Sequence, residues 1–348
     1  MDKGEKMDLK PFEIFNVSEP ADVCMVPEGT ILLAYRGSVA HGMYIKPEDP
    51  KSVDDTDLMG VVVGKPEHYF GLHEWGSRGT YEWKKGRWDC VYYEARKLVS
   101  LLLQGNPNVL SLLWCQPEHY LHRSELGWRL VTNRSLFVGK HVYNAFAGYA
   151  HCQLEKMETR DPAELREYLA ITAELKRRGA HPNHKGEIFD IPEPSTGIES
   201  DVVAWSLDKL MAGLRHYQKK GENIGYMGEK RKQLVLEHGY DSKNAAHLIR
   251  LLRMCIEFMR DGELHVMRPD AAELLEIKRG EWSLNEVKQV SEYLFAAARE
   301  ARDRSTLPAE PDRERAEALL ISIVRDALEG AESGTLLSTG PTTCRDSG

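Results

Sequence analysis

Two short apolar runs flank a polar turn and a pair of aspartates, and this arrangement restricts the fold more than any other part of the sequence. The first run, residues 31–35, is followed almost at once by Gly37-Ser38. The second run, residues 58–63, directly follows Asp55-Thr56-Asp57. Runs of this length and composition are typical of buried β-strands. The sequence therefore predicts two core strands whose ends carry these polar residues.

The two aspartates are predicted to act together. Side chains alternate along a strand, so Asp55 and Asp57 are expected to point the same way, about 6–7 Å apart. Two carboxylates in an apolar setting repel each other unless a cation lies between them. Gly37 permits a tight turn, and Ser38 with nearby backbone N–H groups could hold a phosphate. This pattern favours metal-assisted phosphoryl or nucleotidyl transfer.

Composition narrows the class of protein. A chain of 348 residues is long enough for two domains with separate cores. The net charge of −8 argues against a generally basic surface, although it leaves room for a local basic groove. No secretory signal or membrane-spanning run is apparent, and the six cysteines include no Cys-x-x-Cys pair. We therefore expect a cytoplasmic protein with reduced thiols and no membrane partner.

The order of predicted elements indicates strands first and helices afterwards. Residues 73–85 are predicted to form a hairpin or a lid, and residues 87–94 a third strand that leads into a helix ended by Gly105. From about Ser124 onward the pattern is helical. A capping box at residues 283–286 is expected to start one of the later helices.

A second group of polar residues follows Gly239. Lys243, His247 and Arg250 are spaced at i, i+4 and i+7, so they share one stripe of a predicted helix whose opposite side is apolar. This stripe is expected to face away from the core, where it could neutralise a triphosphate. The alternative is a solvated stripe that pairs with acidic side chains.

Several of these stretches together resemble a known family. Gly37-Ser38 followed by Asp55-x-Asp57 is similar to the nucleotidyltransferase superfamily that includes DNA polymerase beta. The passage 89–113, His184-Lys185 and the stretch 239–251 resemble one branch of it, the RNA repair pathway DNA polymerase beta family. The resemblance extends roughly from Leu32 to Ala297.

The resemblance implies an α+β fold. A minimal nucleotidyltransferase domain, a small mixed β-sheet with helices, is expected over residues 1–135. An all-α domain over 136–305 would close the nucleotide cleft. Beyond the resemblance, the residue pattern predicts a C-terminal helix over 306–329, and the Ser-, Thr- and Gly-rich tail over 330–348 is expected to be disordered.

The resemblance also assigns roles to residues. Asp89 matches the position of a third catalytic and metal-binding carboxylate beside Asp55 and Asp57, with Glu94 as the runner-up. These carboxylates would hold two ions of Mg²⁺ or Mn²⁺. His41 could touch a phosphate or could equally be a packed structural histidine. The full set of predicted nucleotide-binding residues is Gly37, Ser38, His41, Lys230, Lys243, His247 and Arg250.

The implied partner is a nucleoside triphosphate such as ATP, with an RNA end, including a tRNA 3′ end, as the acceptor. Transfer to a protein or to a small molecule is an alternative, as is a non-catalytic, antitoxin-like binding module. The sequence leaves the preferred base and the oligomeric state open. Local support for RNA comes from basic residues in the second half of the chain: Lys176, Arg177, Arg178, Lys209, Arg215, Lys219, Lys220, Lys230, Arg231 and Lys232.

Overall fold

A computed structural model describes residues 8–14, 22–46, 48–49, 55–158, 162–177 and 229–332 of the chain. They form an α+β structure in which a small mixed sheet is followed by helices, and this confirms the predicted fold class. Residues 199–219, which carry Lys209, Arg215 and Lys219, lie outside the described residues, as do His184-Lys185 and residues 333–348 of the predicted tail. Within the described ranges, no helix has the length and apolar character needed to cross a lipid bilayer.

The strands form a two-stranded hairpin and a separate five-stranded sheet. They are β1 (Leu9–Ile14), β2 (Asp22–Pro27), β3 (Thr30–Tyr35), β4 (Thr56–Val62), β5 (Thr80–Lys85), β6 (Trp88–Glu94) and β7 (Tyr120–Arg123). β1 pairs with β2, and the larger sheet has the order β5-β6-β4-β3-β7. Only β4 and β6 pair in parallel in this sheet; the other neighbours are antiparallel.

The two predicted core strands, β3 and β4, lie at the centre of the five-stranded sheet. Leu32 and Leu33 of β3 are neighbours in sequence and are both fully buried, as are Val61 and Val62 of β4. Because successive side chains point to opposite faces, both faces of the sheet are covered at these positions. The polar residues therefore lie where these strands meet the adjoining turns.

The helices account for most of the remaining described chain. Short 3₁₀ helices occur at Leu112–Trp114, Pro117–His119 and Arg134–Phe137. The α-helices, in chain order, are α1 (Gly37–Ala40), α2 (Glu67–Phe70), α3 (Ala95–Leu103), α4 (Pro107–Ser111), α5 (Glu125–Thr132), α6 (Val142–Glu158), α7 (Pro162–Arg177), α8 (Glu229–His238), α9 (Ser242–Asp261), α10 (Ala271–Lys278), α11 (Leu284–Arg304) and α12 (Arg313–Glu332).

The chain divides into two compact units. Of the described residues, the first unit includes those up to 149 together with 250–273 and 293–332, and the second includes those from 150 to 249 together with 274–292. Within the first, α12 packs against α3 and α5. Within the second, the Tyr240 hydroxyl donates to the Trp282 carbonyl at 2.6 Å. The domain boundaries predicted from the sequence stay a prediction.

Local signals in the sequence located helix starts correctly. The Glu286 backbone N–H donates to Ser283 Oγ at 3.2 Å, and the Ser283 N–H donates to Glu286 Oε2 at 2.7 Å, which is the predicted capping box. Asp241 Oδ1 likewise accepts from the Asn244 N–H at the start of α9. The observed hairpin consists of β5 and β6, so it extends beyond the hairpin or lid predicted within residues 73–85 and takes the predicted third strand as its second strand.

Candidate active site

Four charged side chains form a row across the five-stranded sheet. In the strand register, Lys84 of β5 is opposite Asp89 of β6, and Asp89 is opposite Asp57 of β4. Arg36, directly after β3, donates its backbone N–H to the Asp57 carbonyl at 2.9 Å. Residues in register on paired strands project from the same face, about 5 Å from one strand to the next. The row therefore has two carboxylates at its centre and a cation at each end.

The glycine turn lies directly against Asp57. Gly37 has φ +62°, and a Cβ placed on it would be 2.3 Å from Asp57 Oδ2. Only glycine allows the backbone to come this close in this conformation. The next residue, Ser38, has a buried hydroxyl without a hydrogen-bond partner in the described part of the chain. The turn thus brings an unsatisfied donor close to Asp57, one of the two carboxylates at the centre of the row.

Two cations join the three predicted carboxylates. Lys84 Nζ lies 2.7 Å from Asp55 Oδ2 and 3.2 Å from Asp89 Oδ2. Arg36 Nη2 lies 3.2 Å from Asp89 Oδ1 and 3.9 Å from Asp57 Oδ1. The hydrogen bond to Asp55 raises the pKa of Lys84, which keeps the ammonium charged. Asp55, Asp57 and Asp89 are therefore linked through two cations, Lys84 and Arg36, which no motif in the sequence singled out.

In this arrangement each of the three carboxylates lies within ion-pair distance of a cation. Among the described residues, no three His, Cys, Asp or Glu side chains are close enough together to hold a metal ion without rearrangement. Asp89 contacts both Lys84 and Arg36, so it links the two ion-paired groups. Metal binding by all three carboxylates would require these ion pairs to change.

Glu94, the alternative third carboxylate, lies at the far end of β6. Its strand partner is Val62, at the opposite end of β4 from Asp57. The buried Glu94 carboxylate accepts from the Tyr69 hydroxyl at 2.8 Å and from Arg96 Nε at 3.1 Å. Glu94 therefore anchors the segment that carries Tyr69, and the geometry favours Asp89 over Glu94.

His41 and Arg250, two of the predicted nucleotide-binding residues, are buried in the first unit. His41 Nδ1 lies 2.8 Å from the Val266 carbonyl, and burial, together with the nearby charge of Arg250, places the His41 pKa well below its usual value. Burial lowers the pKa of Arg250 to about 10. No carboxylate of a described residue lies within ion-pair distance of Arg250, whose guanidinium contacts Met254 Sδ. The expectation that the stripe faces outward is wrong for Arg250, because other parts of the unit cover it.

The other nucleotide-binding candidates belong to the second unit. Lys243 and His247 are half-buried on α9, and Lys230 lies in α8. Their contribution to nucleotide binding stays a prediction.

Acidification is expected to destabilise the protein through His41. Because the folded-state pKa of His41 is lowered, the unfolded chain binds a proton near pH 6.5 that the folded chain does not. Stability is therefore complete above about pH 6.5 and falls below it by about 1.4 kcal/mol per pH unit for one such group. We expect His41→Gln to lose less melting temperature than wild type between pH 7.5 and pH 5.5 in a thermal unfolding experiment.

Other histidines also contribute to the pH dependence of stability. Burial also lowers the pKa values of His119, His122 and His141, so some acid sensitivity should remain in His41→Gln. His265 is exposed, and His265→Gln is the matched control. An equal loss of melting temperature in wild type and His41→Gln would contradict the assignment to His41.

The row of charged residues and its glycine turn lie within a stretch that matches a known protein family. Residues 13–172 match the RNA repair pathway DNA polymerase beta family. The match includes β3, β4, β6, the glycine turn and all three aspartates, and it confirms the resemblance inferred from the sequence. It supports a nucleotidyltransferase of the DNA polymerase beta type. A search of curated proteins found no match.

The match ends within α7. The predicted likeness at residues 184–185 and 239–251 lies beyond it. The roles predicted for residues beyond 172 therefore depend on the chemistry and position of those residues and not on the family match.

Proposed function

We propose that this protein transfers a nucleoside monophosphate from a nucleoside triphosphate to an acceptor hydroxyl at an RNA end. The observation that carries the proposal is the grouping of Asp55, Asp57 and Asp89 beside the Gly37-Ser38 turn. The family match over residues 13–172 supports the reaction class. The RNA acceptor is supported by the description of that family.

The residues of this group fit a divalent metal in their chemistry. Carboxylate oxygens are the ligands that Mg²⁺ and Mn²⁺ take in proteins. Three carboxylates are available here, from Asp57 on β4, Asp89 on β6 and Asp55 directly before β4. Asp55 and Asp57 would hold two ions, with Asp89 completing the set around one of them. Metal bound there would neutralise charge on the phosphates and lower the pKa of the acceptor hydroxyl.

The chain's own side chains would position the reactants. The unsatisfied Ser38 hydroxyl is a free donor for a phosphate oxygen next to Asp57. Asp89 would accept the proton of the acceptor hydroxyl or orient its oxygen. Arg36, whose Nη2 lies between Asp57 and Asp89, would stabilise negative charge that develops on the transferred phosphoryl group.

The buried charge of Arg250 supports an anionic ligand in the first unit. No carboxylate of a described residue pairs with this buried guanidinium, which is costly, and a bound anion would reduce that cost. In contrast, the described basic residues of the second unit lend little support to RNA binding. Arg177 is paired with Glu174 at 2.7 Å, and Lys232 is buried with its ammonium over the ring of Tyr168.

A labelling experiment tests the proposal directly. The purified protein is incubated with each of the four α-labelled triphosphates, with Mg²⁺ and with a cell extract separated afterwards into RNA, protein and small-molecule fractions. We expect label in the RNA fraction and none with excess chelator. Label confined to protein or to small molecules would overturn the RNA acceptor, and label that persists in chelator would overturn the metal-dependent reaction.

A further inference from the structure

Lys84 lies between two of the carboxylates to which the proposed function assigns metal binding. We propose that Lys84 is an internal counter-ion that positions Asp55 and Asp89 in the metal-free protein and competes with the divalent cation for them. This inference rests on the proposed function, since it takes Asp55 and Asp89 as metal ligands. It adds a positioning residue that lies on β5, outside the Gly-Ser and Asp-x-Asp motifs.

The register of the β5–β6 hairpin fixes Lys84 in this place. Lys85 pairs with Trp88 across the two-residue turn Gly86-Arg87, and Lys84 therefore pairs with Asp89. From this position its ammonium reaches both Asp89 Oδ2 and Asp55 Oδ2. Lys84 thus links β6 to the residue that precedes β4, on the face where Asp57 also lies.

The charges explain why a cation is needed there. Three neighbouring carboxylates repel one another unless cations offset them. Arg36 offsets Asp57 and Asp89 from one side, and Lys84 offsets Asp55 and Asp89 from the other. A divalent cation that binds Asp55 and Asp89 takes over the same role, so it and the ammonium compete for the same oxygens.

The exposure of the two side chains indicates that a metal displaces Lys84 from the carboxylates more readily than it displaces Arg36. The Lys84 side chain is 58% exposed, compared with 29% for Arg36, and β5 is an edge strand. Exposed lysine–carboxylate pairs contribute little stability, and the flexible lysine stem can swing into water. Arg36 is attached to the glycine turn and has its Nε buried. Displacing the Lys84 ammonium therefore requires only a change of side-chain rotamer.

Direct measurement of Mn²⁺ binding tests the competition without any need for turnover. Free Mn²⁺ is followed by electron paramagnetic resonance as it is titrated into wild type, Lys84→Met and Lys85→Met. Lys85 is the next residue on the same strand and points to the opposite face, so Lys85→Met removes the same charge without removing the contact. We expect Lys84→Met to bind Mn²⁺ about three- to tenfold more tightly than wild type, and Lys85→Met to stay within about twofold.

Thermal unfolding gives a second signature. Without metal, Lys84→Met should melt below wild type, because the carboxylates have lost a counter-ion. In saturating Mn²⁺ that difference should disappear, since the metal replaces the ammonium. A fixed difference at all Mn²⁺ concentrations would contradict competition.

The outcomes separate this inference from the proposed function. Equal or weaker Mn²⁺ binding by Lys84→Met, with wild-type binding that Asp57→Asn abolishes, would overturn the role of Lys84 and leave the metal site standing. Wild-type binding that neither Asp57→Asn nor Lys84→Met alters would overturn both, as would a lack of Mn²⁺ binding by every variant.

Discussion

Replacing Asp57 by asparagine is expected to lower nucleotide incorporation by at least about a hundredfold, which corresponds to about 2.7 kcal/mol of transition-state stabilisation. Asp57 is the carboxylate that contacts the Gly37 turn and lies next to Asp89 in the sheet. Asparagine keeps the shape of the side chain but removes the charge that would hold a divalent cation. Single-turnover incorporation of a labelled triphosphate measures the effect, and Asp55→Asn should behave similarly.

The fold is expected to survive this substitution, because Arg36 keeps its ion pair with Asp89 and one of the adjacent negative charges is removed. Glu94→Gln is the control on the same strand as Asp89. Glu94 anchors Tyr69 and Arg96, so its loss should lower the melting temperature and leave incorporation per folded molecule close to wild type. Near wild-type turnover in both Asp57→Asn and Asp55→Asn would contradict the site.

Sequence patterns located only those parts of the site that are formed by short, continuous stretches of the chain. A strand, a Gly-Ser turn and an Asp-x-Asp strand can be recognised because each lies within a few residues and has a characteristic composition. Asp89 could not be placed that way, since its proximity to Asp57 depends on the parallel pairing of β4 with β6. The family resemblance supplied that position.

The choice between Asp89 and Glu94 shows what strand pairing adds to the sequence pattern. Five residues of extended chain separate them by about 17 Å, so only one can lie beside Asp57. Composition favours neither. The register Asp57↔Asp89 and Val62↔Glu94 decides between them.

Lys84 was missed although the sequence contains a usable signal. A two-residue turn at Gly86-Arg87 between two β-like runs fixes the pairs Lys85–Trp88 and Lys84–Asp89. Recognising that turn would have placed a lysine opposite Asp89. Burial of Arg250 had no such signal, because helical spacing tells which residues share a stripe and not what packs over it.

Gly37→Ala is expected to have the second large effect, because an added Cβ must enter the space of the Asp57 carboxylate. The Cβ would be 2.3 Å from Asp57 Oδ2 and 3.2 Å from its Cγ, and the backbone is at φ +62°. Alanine at such a φ costs about 1–2 kcal/mol, and relieving the clash must move Asp57 or the turn. We expect incorporation to fall by at least about thirtyfold, since displacements near 1 Å in a catalytic group have effects of this order.

Gly86→Ala separates the two contributions. Gly86 has φ +59°, nearly the same conformation, but nothing lies within 4 Å of an added Cβ. Both variants should lose about 1–2 kcal/mol of unfolding free energy from backbone strain, measured by urea denaturation, and only Gly37→Ala should lose most of its activity. Equal activity in the two variants at equal folded fraction would mean that close packing of the turn against Asp57 does not matter for catalysis. The turn would then serve only to connect β3 with the chain that follows it.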